Sequence, residues 1–157
     1  MKLILVALDG SPNAKNVFQG ARELAERTRA KLLLLHAVSI PVGLPPEAYA
    51  IEPAAVEELL ARDAHRLLAG FEAQLAPELR AGAKVATGVP WRVICDEAKQ
   101  MNVDVIAIGS HGYRGLDRLL GTTAAKVVNH ADRSVLVVRA PELLDELLEG
   151  QRPPQKT

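Results

Sequence analysis

The sequence predicts an α/β protein in which one parallel β-sheet carries helices on both faces. Segments that are apolar almost throughout recur along the chain, as expected for strands buried on both faces. They alternate with longer segments whose apolar residues return at helical spacing. Such alternation is typical of right-handed β-α-β units, which build parallel sheets. We therefore expect a single-domain, open, doubly wound, Rossmann-like sheet of five strands.

The elements follow one another in the order β-α-β-α-β-α-β-α-β. Strands are expected at Lys2–Leu8, Lys31–Val38, Ala83–Gly88, Val103–Ile108 and Ser134–Arg139. Helices are expected from Pro12 to about Arg29, Pro53 to about Ala76, Pro90 to about Met101 and Thr122 to Ala131. Ser11 suits an N-cap and Pro12 a first helical residue. The three prolines of Ser39–Glu52 indicate a loop or lid, and Gly109–Gly121 is a loop rich in glycine.

Residues 1–140 are expected to form this domain, and residues 141–157 a separate tail. The tail begins with leucines at helical spacing surrounded by acidic residues, which predicts a short amphipathic helix before a disordered end. An acidic polar face indicates packing against protein rather than a membrane anchor.

Composition excludes several classes of protein. The chain has 157 residues, 48% hydrophobic and 24% charged, which fits one globular domain and not a disordered chain. The 19 basic and 19 acidic residues cancel, which disfavours nucleic acid as a partner. The apolar run Leu3–Leu8 is too short for a signal peptide, and no stretch approaches the length of a membrane span. We therefore expect a cytoplasmic protein that does not bind membranes.

The strongest functional signal is the segment from Gly109 to Thr123. Ligands of open parallel sheets bind at the carboxyl ends of strands, and this segment joins a buried strand to a helix. Its glycines let backbone N–H groups approach a ligand, and Thr122 and Thr123 stand where a helix N-terminus favours anions. A phosphate group satisfies these features. No glycine precedes Lys-Ser or Lys-Thr, and no Gly-x-Gly-x-x-Gly follows the first strand, which excludes a P-loop and disfavours a dinucleotide dehydrogenase.

Several motifs together resemble the universal stress protein family, over about Lys2 to Arg139. They are Ile4–Ser11, Leu35–Val38, Gly88-Val89-Pro90, Asp104–Gly112, Gly121-Thr122 and Ser134–Arg139. ATP-binding members carry glycine, two residues, glycine, nine residues, then glycine with serine or threonine. Gly109, Gly112, Gly121 and Thr122 match that pattern, except that eight residues separate the second and third glycines. Ala7 stands where many members have proline.

The resemblance implies an adenine-nucleotide α-hydrolase-like fold with strand order 3-2-1-4-5, and a nucleotide crevice at the ends of strands 1 and 4. It implies ATP, with Mg²⁺, or another adenine nucleotide as ligand. Asp9 would lie beside adenosine, Ala37 would present backbone groups to adenine, and the glycines and threonines would meet ribose and phosphates. The complete expected set is Ala7, Leu8, Asp9, Ala37, Ile108, Gly109, Gly112, Gly121, Thr122 and Thr123.

The resemblance also implies a stress-response or regulatory role, with an unidentified regulatory protein as partner. Members usually dimerise, often through the last strand, and an apolar edge strand such as Val135–Val138 needs covering. We therefore expect a homodimer.

Two other functions stay open on the sequence alone. One is a very slow ATPase, since no dedicated base is evident for rapid phosphoryl transfer. The other is an interaction module of the same fold that binds no nucleotide. A Ser-His-Asp hydrolase is disfavoured because Gly-x-Ser-x-Gly is absent. For Asp9, the interpretation that competes with a ligand contact is an ordinary turn. For His36, a structural role is favoured over a role as ligand-binding residue.

Overall fold

The computed structural model describes residues 1–39, 53–110 and 121–139. Gly112, most of the segment expected to be a loop or lid, and the tail at 141–157 lie outside the described residues. Five strands form one parallel sheet in the order β3-β2-β1-β4-β5, which confirms the expected fold class and strand order. The elements are β1 Leu3–Ala7, α1 Ala14–Thr28, β2 Lys31–Val38, α2 Pro53–Glu72, β3 Arg80–Thr87, α3 Pro90–Gln100, β4 Val105–Gly109, α4 Thr122–His130 and β5 Ser134–Val138.

Strand β1 lies at the centre of the sheet, paired with β2 on one side and β4 on the other. Leu5 stands opposite Leu33 of β2 and Ile106 of β4 in the parallel register. The Asp104 carboxylate accepts the backbone N–H groups of Lys2 and Leu3, which holds the start of β1 beside β4. These two hydrogen bonds lower the pKa of Asp104.

Two hydrophobic layers sandwich the sheet, as expected for helices on both faces. On one face, α1 and α2 cover alternate strand residues such as Val6 and Leu34, and Phe18 meets Phe71 with ring centroids 4.9 Å apart. On the other face, α3 and α4 cover the intervening residues, such as Leu5 and Ile106. The near-continuous apolar runs of the strands follow from this burial on both sides.

Helix α1 begins later than expected, at Ala14 instead of Pro12, and Asn13 occupies the N-cap position. Ser11 does not cap the helix, because its N–H and hydroxyl both donate to the Asp9 carboxylate. The Ala14 N–H donates to the Ser11 carbonyl at 3.1 Å, so a tight turn precedes the helix.

Strand β3 is longer than expected, beginning at Arg80 instead of Ala83. A register shift between Leu32 and Leu33 accompanies Gly82, whose φ of 120° suits only glycine. A short 3₁₀ turn, Pro77–Leu79, precedes the strand, and the Arg80 guanidinium donates to the Leu75 carbonyl at 2.7 and 3.0 Å. The first residues of β3 lack the alternation of apolar and polar residues that predicts a strand, so the sequence alone did not indicate this early start.

None of the helices within the described ranges combines the length and apolar character that a bilayer span requires.

Replacing Ile106 by alanine tests the packing of the central strands. Ile106 is fully buried in the layer under α3 and α4, so the truncation leaves a cavity. We expect a loss of about 2–5 kcal/mol in the free energy of unfolding, measured by urea denaturation. Leu59→Ala is the matched control, because Leu59 is 48% exposed and should cost about 0.5 kcal/mol or less. Equal losses in the two variants would contradict the proposed core.

Candidate functional site

The order of the strands creates one place where the chain winds in opposite directions. From β1 the chain crosses through α1 to β2, whereas from the neighbouring β4 it crosses through α4 to β5. The two connections therefore leave the carboxyl edge of the sheet on opposite sides. In open parallel sheets, a crevice opens at this switch point and receives the ligand.

The ends of β1 and β4 part before both strands finish. Their register runs only to the Val6–Ala107 pair, whereas β4 continues beside β5 as far as the Gly109–Val138 pair. The Ser110 N–H then donates to the Val138 carbonyl at 2.9 Å. Gly109 is thus held on the β5 side and borders the opening between β4 and β1.

Helix α4 begins directly at this opening, although the loop from β4 lies outside the described residues. The Gly121 N–H donates to the Ser110 carbonyl at 2.7 Å, which returns the chain to the end of β4. The first bond within the helix runs from the Ala125 N–H to the Gly121 carbonyl, so the N–H groups of Thr122 and Thr123 have no partner within the helix. With the helix dipole, these donors suit an anion.

Strand β2 presents backbone groups to the same edge. The Leu35 carbonyl accepts from Leu8 on the β1 side, and the Val38 carbonyl accepts from Gly88 on the β3 side. Because successive residues of a strand point their backbone groups to alternate sides, Ala37 points its N–H and carbonyl towards β1. The β1–β2 register ends at the pair Ala7–Leu35, so the Ala37 groups face the space beyond the end of β1.

Asp9 follows β1 by two residues, after Leu8, at the same carboxyl edge of the sheet. Its side chain is exposed, and the Ser11 N–H donates to Oδ1 at 3.0 Å while the Ser11 hydroxyl donates to the same oxygen. Sequence reasoning assigned Ser11 to the helix cap and missed this contact. The signal was present, since the spacing Asp-x-Ser allows an aspartate to accept from the backbone two residues on.

The His36 side chain, on β2, is half-buried. Burial lowers the pKa of His36, against the opposing effects of the Asp9 charge and a hydrogen bond to the Leu8 backbone. Its Nδ1 atom is buried without a hydrogen-bond partner among the described residues.

The remaining expected residues are placed as follows. The Leu8 and Ile108 side chains are buried in opposite layers of the core, so these residues meet the crevice through their backbone. Ala7 is half-buried on the layer of α3 and α4. The structure thus gathers nine of the ten expected residues at the carboxyl edge, and the tenth, Gly112, is outside the described part of the chain.

Other reactive side chains lie away from this edge or are unsuited to chemistry. Burial, then the charges of Asp96 and Asp132, raises the pKa of the Cys95 thiol, which keeps it protonated. His65 and His130 are exposed on helices α2 and α4. Within the three described ranges, no group of three or more His, Cys, Asp or Glu is arranged to hold a metal ion.

Comparison with known proteins gives consistent matches. Residues 1–139 match the family model described as the Universal stress protein family. Universal stress protein A homolog 2 of Coxiella burnetii is 33% identical over 141 residues, which cover 88% of this chain and 94% of the relative. The solved structure of universal stress protein UspA from Lactobacillus plantarum is 31% identical, with a TM-score of 0.69 over 88% of this chain and 97% of its own. A universal stress protein family protein from Arabidopsis thaliana, solved with AMP bound, is 25% identical, with a TM-score of 0.63 over 90% and 95% of the chains.

The environment of His36 predicts how stability changes with pH. Because its pKa in the fold lies below the ordinary value of 6.5, the unfolded chain binds a proton more readily than the folded one. The free energy of unfolding should therefore fall as pH is lowered through about 6.5, and level off below the folded-state pKa. Urea denaturation between about pH 7.5 and about pH 5 measures this slope.

The variant His36→Gln should show a flatter slope over that range, whereas the control His65→Gln, at an exposed position, should keep the wild-type slope. Equal slopes for wild type and His36→Gln would contradict the assignment.

Proposed function

The chain belongs to the universal stress protein family, and we propose that it binds an adenine nucleotide, ATP with Mg²⁺, in the crevice at the carboxyl ends of β1 and β4. The observation that carries the proposal is the 2.7 Å hydrogen bond from the Gly121 N–H to the Ser110 carbonyl. It brings a helix N-terminus to the switch point of the sheet, where a phosphate group finds unpaired donors.

The phosphate end of the site is built from α4. The backbone N–H groups of Thr122 and Thr123, with the threonine hydroxyls, supply donors to phosphate oxygens. Gly121 carries no side chain to obstruct their approach, and Gly109 borders the opposite wall. We include Gly112 in the site on its match to the family pattern alone.

The adenosine end is built from β1 and β2. An adenine ring offers both donors and acceptors along one edge, which the N–H and carbonyl of Ala37 complement. Asp9 follows β1 at the same edge of the sheet, and in this proposal its carboxylate accepts hydrogen bonds from a neutral part of the ligand. Placing it at the phosphate end would set like charges together, so the two ends of the site have distinct polarity.

Two further observations support the choice of ligand. The relative from Arabidopsis thaliana, at 25% identity, was solved with AMP bound, which favours an adenine nucleotide over other phosphates. The described residues hold no acidic cluster suited to a metal, so Mg²⁺ would arrive with the phosphates and keep most of its water ligands.

The proposed role is regulatory. We propose that this is a cytoplasmic stress-response protein whose nucleotide-binding domain spans residues 1–140. A protein partner distinguishes the nucleotide-bound form of this domain from the empty form. The proposal depends on binding and release of the nucleotide, and does not require its hydrolysis.

The first experiment asks whether the purified protein carries a nucleotide. The protein is denatured and the released nucleotide is identified by chromatography with an absorbance scan. We expect ATP or ADP approaching one per chain, or, for protein purified empty, a rise in Tm on adding ATP with Mg²⁺. Ligand at 100 times Kd contributes about 2.7 kcal/mol to stability. No released nucleotide together with an unchanged Tm would overturn the proposal in favour of an interaction module.

The double variant Gly121→Leu with Thr122→Leu tests the phosphate end. Gly121 has φ −55°, which any residue adopts, and Thr122 is exposed, so the variant should fold. Two bulky side chains over the helix N-terminus should weaken ATP binding by about tenfold or more, since hydrogen bonds to charged groups are worth about 1.5–3 kcal/mol each. Calorimetric titration measures the change. Asn129→Leu, exposed at the far end of α4, should keep the wild-type affinity.

The homodimer is proposed to form through strand β5. This strand is the edge of the described sheet, and its residues Val135–Val138 are only half-buried. The Ser110 N–H donates to the Val138 carbonyl, so Val138 points its backbone groups to β4 and Val137 points its own to the open edge. Val137→Pro should therefore remove an outward donor while keeping the β4–β5 ladder.

Sedimentation at micromolar concentration should show a dimer for the wild type and a monomer for Val137→Pro. Ala83→Pro is the matched control, because Ala83 is exposed on β3 at the opposite edge of the sheet. Monomeric wild-type protein, or a dimer lost only with Ala83→Pro, would contradict the proposed interface.

A further inference from the structure

The buried Ser11 forms hydrogen bonds with the exposed side chain of Asp9. It is only 6% exposed, yet its hydroxyl and its N–H both donate to Oδ1 of Asp9, whose own side chain is exposed. The Ser11 carbonyl in turn accepts the Ala14 N–H at 3.1 Å, which ties the serine to the start of α1. The Asp9 carboxylate is thus anchored to a fixed part of the core.

The anchoring divides the carboxylate into two unlike oxygens. Among residues 1–39, 53–110 and 121–139, the hydrogen-bond donors that reach Asp9 are both on Ser11 and both bond Oδ1. Oδ2 is left as the oxygen that can accept from a ligand. A hydrogen bond from the Ser11 N–H alone would form an ordinary turn. The second hydrogen bond, from the Ser11 hydroxyl, further restricts rotation of the Asp9 carboxylate.

The position of Oδ2 suits a hydroxyl donor. Asp9 follows β1 by two residues, at the edge of the sheet where the Ala37 backbone faces beyond the end of β1. A negative acceptor at this point repels phosphate, and no cluster of acidic residues in the described chain joins it to hold a metal. A sugar hydroxyl is a donor that a carboxylate accepts well.

We infer that Ser11 is a positioning residue, which orients Asp9 to accept from a ribose hydroxyl and so makes the site prefer ribonucleotides over deoxyribonucleotides. This inference rests on the proposed function. The Asp9 carboxylate accepts the hydrogen bond from the ribose hydroxyl, and Ser11 holds the carboxylate in the orientation that allows it.

The test compares ATP with 2′-deoxy-ATP and 3′-deoxy-ATP by calorimetric titration. The wild type should bind ATP about tenfold more tightly than at least one deoxy analogue, as expected for loss of one hydrogen bond to a charged group. Ser11→Ala should reduce that ratio to about twofold or less and leave the affinity for inorganic tripolyphosphate unchanged. Ser134→Ala, an exposed serine on β5, is the matched control and should keep the wild-type ratio.

A double-mutant cycle separates positioning from a general structural effect. If Ser11 acts through Asp9, then Ser11→Ala should not change the ratio further once Asp9→Ala is present. Ser11→Thr keeps a hydroxyl and should restore the preference for ATP.

An unchanged ratio in Ser11→Ala, or an equal loss of affinity for ATP, both deoxy analogues and tripolyphosphate, would overturn the inference while leaving the proposed function intact. Absence of binding of any adenine nucleotide by the wild type would instead overturn the proposed function, and the inference with it.

Discussion

The parallel pairing of β1 with β4 is the interaction on which the rest of the structure depends. These strands are distant in sequence, and their union joins the half of the sheet that contains β2 and β3 to the half that contains β5. Leu5 and Ile106 lie opposite each other in this pair, both fully buried. Neighbouring residues such as Val6 and Ala107 are buried in the opposite layer, and burial on both faces of the sheet supplies hydrophobic free energy that offsets the entropy of bringing the halves together.

The same pairing creates the switch point at which we propose that the chain binds its ligand. Because all five strands are parallel, their carboxyl ends share one edge, and every connection to a helix leaves from it. At β1 and β4 these connections diverge, so the backbone groups of the two strand ends are not covered by a common loop. The Asp9 carboxylate and the backbone groups of Ala37 therefore lie at this edge and outside the two apolar layers.

The polarity of the crevice follows from secondary structure and one carboxylate. The N-terminus of α4 supplies partial positive charge at one end, and Asp9 supplies negative charge at the other. A ligand with an anionic group and a neutral donor group matches this arrangement, as a nucleotide does. The buried Ser11 donates two hydrogen bonds to Asp9, which couples the carboxylate to the rigid part of the fold.

The sequence by itself determined the class of fold, and it predicted the edge of the sheet at which we place the proposed site. Strands buried on both faces are apolar almost throughout, as in Val105–Gly109, and helices buried on one face repeat their apolar residues at helical spacing. Both patterns are local signals, because each can be recognised within one segment of the sequence. The family pattern further identified Gly121 and Thr122, whose place at a helix start the structure confirms.

Only the tertiary structure decided which side chains meet. Ser11 is a good helix cap by composition, yet it bonds the Asp9 carboxylate, because the chain must turn sharply between β1 and α1. The lowered pKa of His36 depends on burial between strands that the sequence does not place together. The early start of β3 depends on a bulge opposite Leu32 and Leu33. The burial of His36 and the early start of β3 arise from contacts between segments, which local periodicity does not encode, whereas the Ser11–Asp9 contact is local and was one of two roles that the sequence allowed.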